Sequence, residues 1–178
     1  PVTVAVDLDD PLAEDNTAYI VMPKQQRYNV ALCTSGESLL LRQVLRSLPM
    51  INLYGYQGGK LSGGPPAEGE LKIDVWIVEG DAKSAIEPEA SYLFIDSTAH
   101  EYLPVVPGSR VQLDLAADPP VIPTVVGIDN THAVLRFTNI GEIRLKAMRR
   151  SELQPWGRTV VDASEGPLIV EGDLEGQR

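Results

Sequence analysis

YNVALCTSGESLLLRQVLRSLPMINLYGYQ, residues 28–57, sets an amphipathic segment between two apolar runs. Its two ends, Tyr28–Cys33 and Ile51–Tyr56, are apolar runs of strand length. Between them Leu41, Val44, Leu45 and Leu48 recur at the three- and four-residue spacing that gathers side chains on one helical face. Pro49 has no amide hydrogen with which to continue that helix. At the other end Thr34 is followed three residues later by Glu37, the spacing at which a hydroxyl and a carboxylate satisfy the first orphan amides of a helix. A helix over about Ser35–Leu48 is therefore predicted. It should lay its leucines on an open barrel end or a sheet face, with Arg42 and Arg46 on another side.

Outward from this stretch the pattern is strand and turn. Fourteen prolines and 15 glycines divide the 178 residues into short runs. The predicted strands are 2–6, 18–22, 28–33, 51–56, 71–78, 91–96, 110–115, 121–128, 133–137, 142–148, 158–161 and 168–170. Alternation is clean where Ile73, Val75 and Ile77 share a face and where Val111, Leu113 and Leu115 do. Residues 58–69, GGKLSGGPPAEG, read as a surface loop without a regular element. The expectation is an all-β or mainly β domain, an antiparallel barrel or sandwich with one covering helix, spanning residues 1–178. Pro1 leads straight into VTVAV and the chain closes on the polar EGDLEGQR, so a segment of a longer protein is expected.

Charge narrows the partners. Twenty-five acidic residues against 15 basic ones leave a formal net charge of -10, which repels phosphate backbones and anionic headgroups; neither nucleic acid nor a membrane surface is an expected partner. No apolar run reaches the roughly 18 residues of a membrane span. Cys33 is the one cysteine and reads as a small buried apolar residue, and His100 and His132 lie too far apart in sequence for a close-spaced zinc pair. The acidic run Asp7–Asp15 lacks the carboxylate spacing of a calcium loop and reads as a solvated turn. No cofactor fingerprint is present, so no cofactor is expected.

Two motifs carry resemblances. SYLFIDSTA, residues 91–99, resembles the catalytic loop of retroviral-type aspartic proteases, in which an apolar strand leads into Asp-Thr/Ser-Gly-Ala; the resemblance implies catalysis by Asp96. Thr98 stands where that loop has its glycine, and a β-branched residue suits the tight turn poorly. Asp96, Ser97 and His100 also supply the residue types of a hydrolytic triad, but on a single turn, whereas a triad draws its members from separate parts of a fold. Arg149-Arg150 followed by Asp162-Ala163-Ser164-Glu165-Gly166-Pro167 resembles the arginine pair and Asp-x-Ser-x-x-Gly motif of PilZ domains, which implies a β-barrel that binds cyclic di-GMP. Here Pro167 takes the place of the glycine, and the two arginines are adjacent.

By elimination the residues favour a non-catalytic recognition or attachment module. Loops carry recognition because their side chains are not committed to a core. Two loops combine mobility with large amphipathic residues: YGYQGGK at 54–60 and LQPWGR at 153–158. Tyr54, Tyr56, Trp156 and Arg158 are the expected binding residues, and the expected partner is a protein or a glycan. A surface projection of a viral capsid that binds a host receptor is a variant of this reading. Numerous short strands leave edges to be covered, and a two-fold homodimer is one means of covering them.

Overall fold

The computed structural model describes residues 2–5, 17–20, 26–36, 38–65, 70–87 and 89–174. It is mainly β with one α-helix. The strands are β1 (Val2–Ala5), β2 (Thr17–Ile20), β3 (Tyr28–Thr34), β4 (Ile51–Gln57), β5 (Lys60–Ser62), β6 (Val75–Glu79), β7 (Ser91–Ile95), β8 (Val105–Gln112), β9 (Val125–Ile128), β10 (Ala147–Leu153), β11 (Gly157–Ala163) and β12 (Gly166–Gly172). The helix α1 runs Leu39–Ser47 between β3 and β4. The acidic run Asp7–Asp15 lies outside the described residues.

The largest sheet has five strands in the order β5-β4-β3-β6-β7. Four of them run parallel: β3 pairs with β4 and β6, and β6 pairs with β7, all in the same direction. This differs from the antiparallel arrangement expected. For β3 and β4 the reason is the helix between them, since a chain that crosses back along a helix returns to the sheet pointing the way it first went; β6 and β7 join in that same direction with no helix between them among the described residues. Because α1 covers one face, β3 is buried on both, and Val30, Ala31, Leu32 and Cys33 are all inaccessible in succession. Val30, Leu32 and Ile77 pack with Leu45 beneath the helix, while Ala31, Cys33, Tyr54, Trp76 and Val78 form the core of the opposite face.

Ser38 is the N-cap of α1, and its side chain makes no capping bond. The Thr34 hydroxyl turns the chain earlier, accepting the Gly36 N–H and donating to the Gly36 carbonyl, so it serves the loop rather than the helix start. The segment expected to be a featureless loop in fact begins as a hairpin. Gly58 and Gly59 have φ of 57° and 81°, the paired left-handed values of a two-residue turn whose twist matches antiparallel strands, and β5 pairs back on β4.

There are three smaller sheets, β1-β2, β10-β8 and β12-β11-β9, each antiparallel. β8 carries Pro107 and Gly108 opposite a register shift between Arg149 and Ser151, where a missing amide is tolerated on a strand with one free edge. Residues 133–137, expected as a strand, contain the short 3-10 helix Ala133–Leu135, whose Leu135 enters a third core cluster with Val160 and Val161. His132 caps it by accepting the Val134 N–H.

Candidate functional site

A cleft of about 880 Å³ opens between the large sheet and the two sheets that follow it in the chain. One wall is β7, the outermost strand of the five-stranded sheet; the other is β12, the outermost strand of the three-stranded sheet. Residues of β8 and β10 close one side, and Leu103, Pro104 and Trp156 close another. The volume is that of an ordinary ligand or peptide site, in the range of about 300–1,000 Å³.

Every residue from Ala90 to Phe94 lines this cleft. Successive side chains of a strand point to opposite faces, so a space that meets all of them meets the strand along its edge. The backbone groups at that edge can be assigned. The Ser91 N–H donates to Asp74 O at 2.9 Å, and Ile95 O accepts from the Gly80 N–H at 2.9 Å, so residues 91, 93 and 95 turn their amide groups toward β6. Tyr92 and Phe94 therefore turn theirs outward, and neither residue's N–H or C=O has a hydrogen-bond partner among the described residues. The side chain of Leu93 is half exposed beside them.

The ionic groups at the C-terminal end of β7 are paired. Asp96 accepts from Arg149 Nε at 3.3 Å and lies 3.8 Å from Arg110 Nη1, which ties β7 to the β8–β10 sheet. Its backbone is left-handed, with φ of 49°. The supposed triad disperses: Ser97 is buried and donates to Val78 O at 3.1 Å, while His100 turns toward Ser84, its Nε2 2.9 Å from Ser84 Oγ. The His100 Nδ1 accepts the Tyr102 N–H, so in the neutral ring Nε2 carries the proton and donates to Ser84. That is the reverse of the tautomer a serine nucleophile needs from its base. Burial against the rings of Tyr92, Phe94 and Tyr102 holds the His100 pKa below its ordinary value.

The four expected binding residues separate. Trp156 lines the cleft, its ring lying over Gly172 so closely that a side chain there would collide with the indole. Arg158 points elsewhere, to Asp129 at 2.6 Å, and this guanidinium, after the Thr131 hydroxyl and amide, helps hold the Asp129 carboxyl below the usual range. Tyr54 and Tyr56 require correction, because they belong to β4 and not to a loop. Tyr54 is 4% exposed with its hydroxyl donating to Pro65 O, and Tyr56 packs edge-on against Trp76 with ring centroids 4.9 Å apart. The arginines of the second resemblance are both engaged by carboxylates, Arg149 by Asp96 and Arg150 by Glu165 at 2.8 Å.

Tyr92, Leu93, Phe94 and Arg110 were not among the expected site residues, and Arg149 was singled out only through the PilZ resemblance. The run SYLFI announced a strand, but edge position depends on which strand lies beside it. Among the described residues no group of three or more His, Cys, Asp or Glu is placed to hold a metal, and no helix is long and apolar enough to cross a membrane. No family model, curated protein or solved structure matches the chain.

Proposed function

We propose that this chain is a non-catalytic recognition module, and that the cleft between β7 and β12 is where it takes its partner. The observation that carries the reading is the cleft's lining: Tyr92, Phe94, Leu103, Trp156, Leu168 and Val170 present apolar and aromatic surface, while Asp96 at its margin is already neutralised by Arg149 and Arg110. Aromatic walls supply contact area at small cost in side-chain entropy. Trp156, half-buried on the β10–β11 turn, is the anchor. A protein partner is favoured over a glycan because the cleft offers a strand edge as well as a stacking surface.

The test uses the two indole N–H resonances in a 1H–15N spectrum. Trp76 is 1% exposed and serves as the internal control, whereas Trp156 reports the cleft. Binders drawn from peptide, glycan and fragment collections should shift the Trp156 resonance, leave Trp76 still, and lose affinity with Trp156→Ala. Binders that act only on residues outside the cleft would overturn the reading. Hydrolysis of a broad peptide library that disappears in Asp96→Asn would restore the enzyme class.

A further inference from the structure

Resting on the reading of the cleft as a recognition site, we infer that its occupant is an extended peptide segment of a partner protein. The segment adds itself to β7 as a further strand, apolar on alternate residues and bearing a carboxylate at the end that reaches Arg110.

The edge of β7 is the basis. A parallel sheet ordinarily has its edges covered, because each outer strand carries a row of unpaired amide groups. On β7 the N–H and C=O of Tyr92 and of Phe94 face the cleft with no partner among the described residues. These four groups recur every second residue, the repeat with which a strand pairs with its neighbour. A peptide laid in the cleft would engage them without displacing any protein hydrogen bond. At about 3.3 Å per residue, five-residue β7 offers an edge of roughly 17 Å. Side chains of the incoming strand would alternate across the sheet. One set would meet Leu93, and the other would meet the aromatic side of Tyr92 and Phe94.

Charge orients the occupant. Arg110 and Arg149 both approach Asp96, so two guanidinium groups face one carboxylate at the C-terminal end of β7. Arg149 is the closer and less exposed of the two, and it also donates to Gly108 O at 3.2 Å. Arg110 sits at 3.8 Å with more than half of its side chain exposed, leaving its guanidinium able to take a second carboxylate. In a protein of net charge -10, this local excess of positive charge sets that end of the cleft apart. It complements an acidic side chain or a free carboxy terminus.

The experiment is selection of linear peptides from a display library on the whole chain, followed by synthesis of the enriched peptides with single backbone N-methyl groups. Strand addition predicts enrichment of alternating apolar sequences with an acidic residue. N-methylation at every second peptide residue should weaken binding by about tenfold per position, with little effect at the residues between. Amide exchange at Tyr92 and Phe94 should slow on binding. Leu93→Asp, at a half-exposed position of β7, should abolish binding, and Arg110→Gln should remove the preference for the acidic residue. Peptides that need Trp156 but are indifferent to N-methylation would overturn strand addition and leave the cleft as the site. No enrichment of linear peptides, or protection of the Tyr92 and Phe94 amides by a second copy of the chain, would overturn the proposed occupant; so would binding that affects neither Trp156 nor β7, which would remove the cleft reading as well.

Discussion

Ser84 Oγ and His100 Nε2 lie 2.9 Å apart, with His100 donating the proton, and the bond joins the β6–β7 connection to the turn after β7. The same imidazole packs on Tyr92 and Phe94, the two residues whose amides face the cleft.

This environment makes stability depend on pH. Burial lowers the folded pKa of His100 below 6.5, so as pH falls the unfolded chain takes up the proton first. The contribution of the neutral ring is complete above about pH 6.5 and is progressively lost below it, until the folded ring titrates too. The midpoint of thermal unfolding should therefore fall between about pH 7 and pH 5.5, with a shallower slope in His100→Phe. Identical slopes in the two proteins would refute this.

Cys33 should be inert in the native protein. Burial pushes its thiol pKa up to about 12, which leaves almost no thiolate near neutrality, and no solvent reaches the sulfur. A thiol reagent should label it only in denaturant. Since the folded pKa lies above the unfolded one, the protonated thiol stabilises the fold at neutral pH, and that contribution declines as pH rises above about 9. Rapid labelling of the folded chain would contradict the placement of β3 inside the sheet.

Two substitutions at Asp96 separate charge from backbone strain. Asn tolerates the left-handed conformation and loses only the partly exposed ion pairs, so Asp96→Asn should cost up to about 1 kcal/mol. A β-branched residue at φ of 49° adds the left-handed penalty of roughly 1–2 kcal/mol, so Asp96→Val should be clearly worse. Urea denaturation of both variants checks the order.

On α1, Leu45 and Leu40 are five residues apart and in opposite surroundings. Leu45 is buried under the sheet and Leu40 is 80% exposed. Leu45→Ala should destabilise by about 2–5 kcal/mol, and Leu40→Ala by less than about 0.5 kcal/mol. Equal losses would mean that the helix faces the sheet by a different side.

Much of the element content was legible because it is local. The 3.6-residue recurrence of Leu41 and Leu45 announced α1, and the β-branched and aromatic runs announced β3, β4, β7 and β11 close to where they lie. The Gly-Gly pair at 58 and 59 also marked a hairpin, because only residues free to take positive φ close a two-residue turn; its signal was submerged in the glycines and prolines that follow. For Tyr54 and Tyr56, alternation placed both side chains on one face of a strand, and only the partner surface decided that this face was the core. The direction of strand pairing was likewise beyond local pattern. The contiguous Val30–Cys33 run is compatible with a strand buried on two faces, but whether its neighbours β4 and β6 run parallel depends on how the connections, α1 among them, carry the chain across the sheet. The cleft lay further still from local pattern. Asp96 meets Arg149 across more than fifty intervening positions, and Trp156 lines the same cleft as β7 from a distant part of the chain. Residue pattern thus determined the helix and most of the strands, since those follow from local spacing, but not β5 or the 3-10 turn at Ala133–Leu135. Tertiary structure alone decided which strand remained an edge and which side chains faced it, since edge position is a relation between distant segments rather than a property of any one of them.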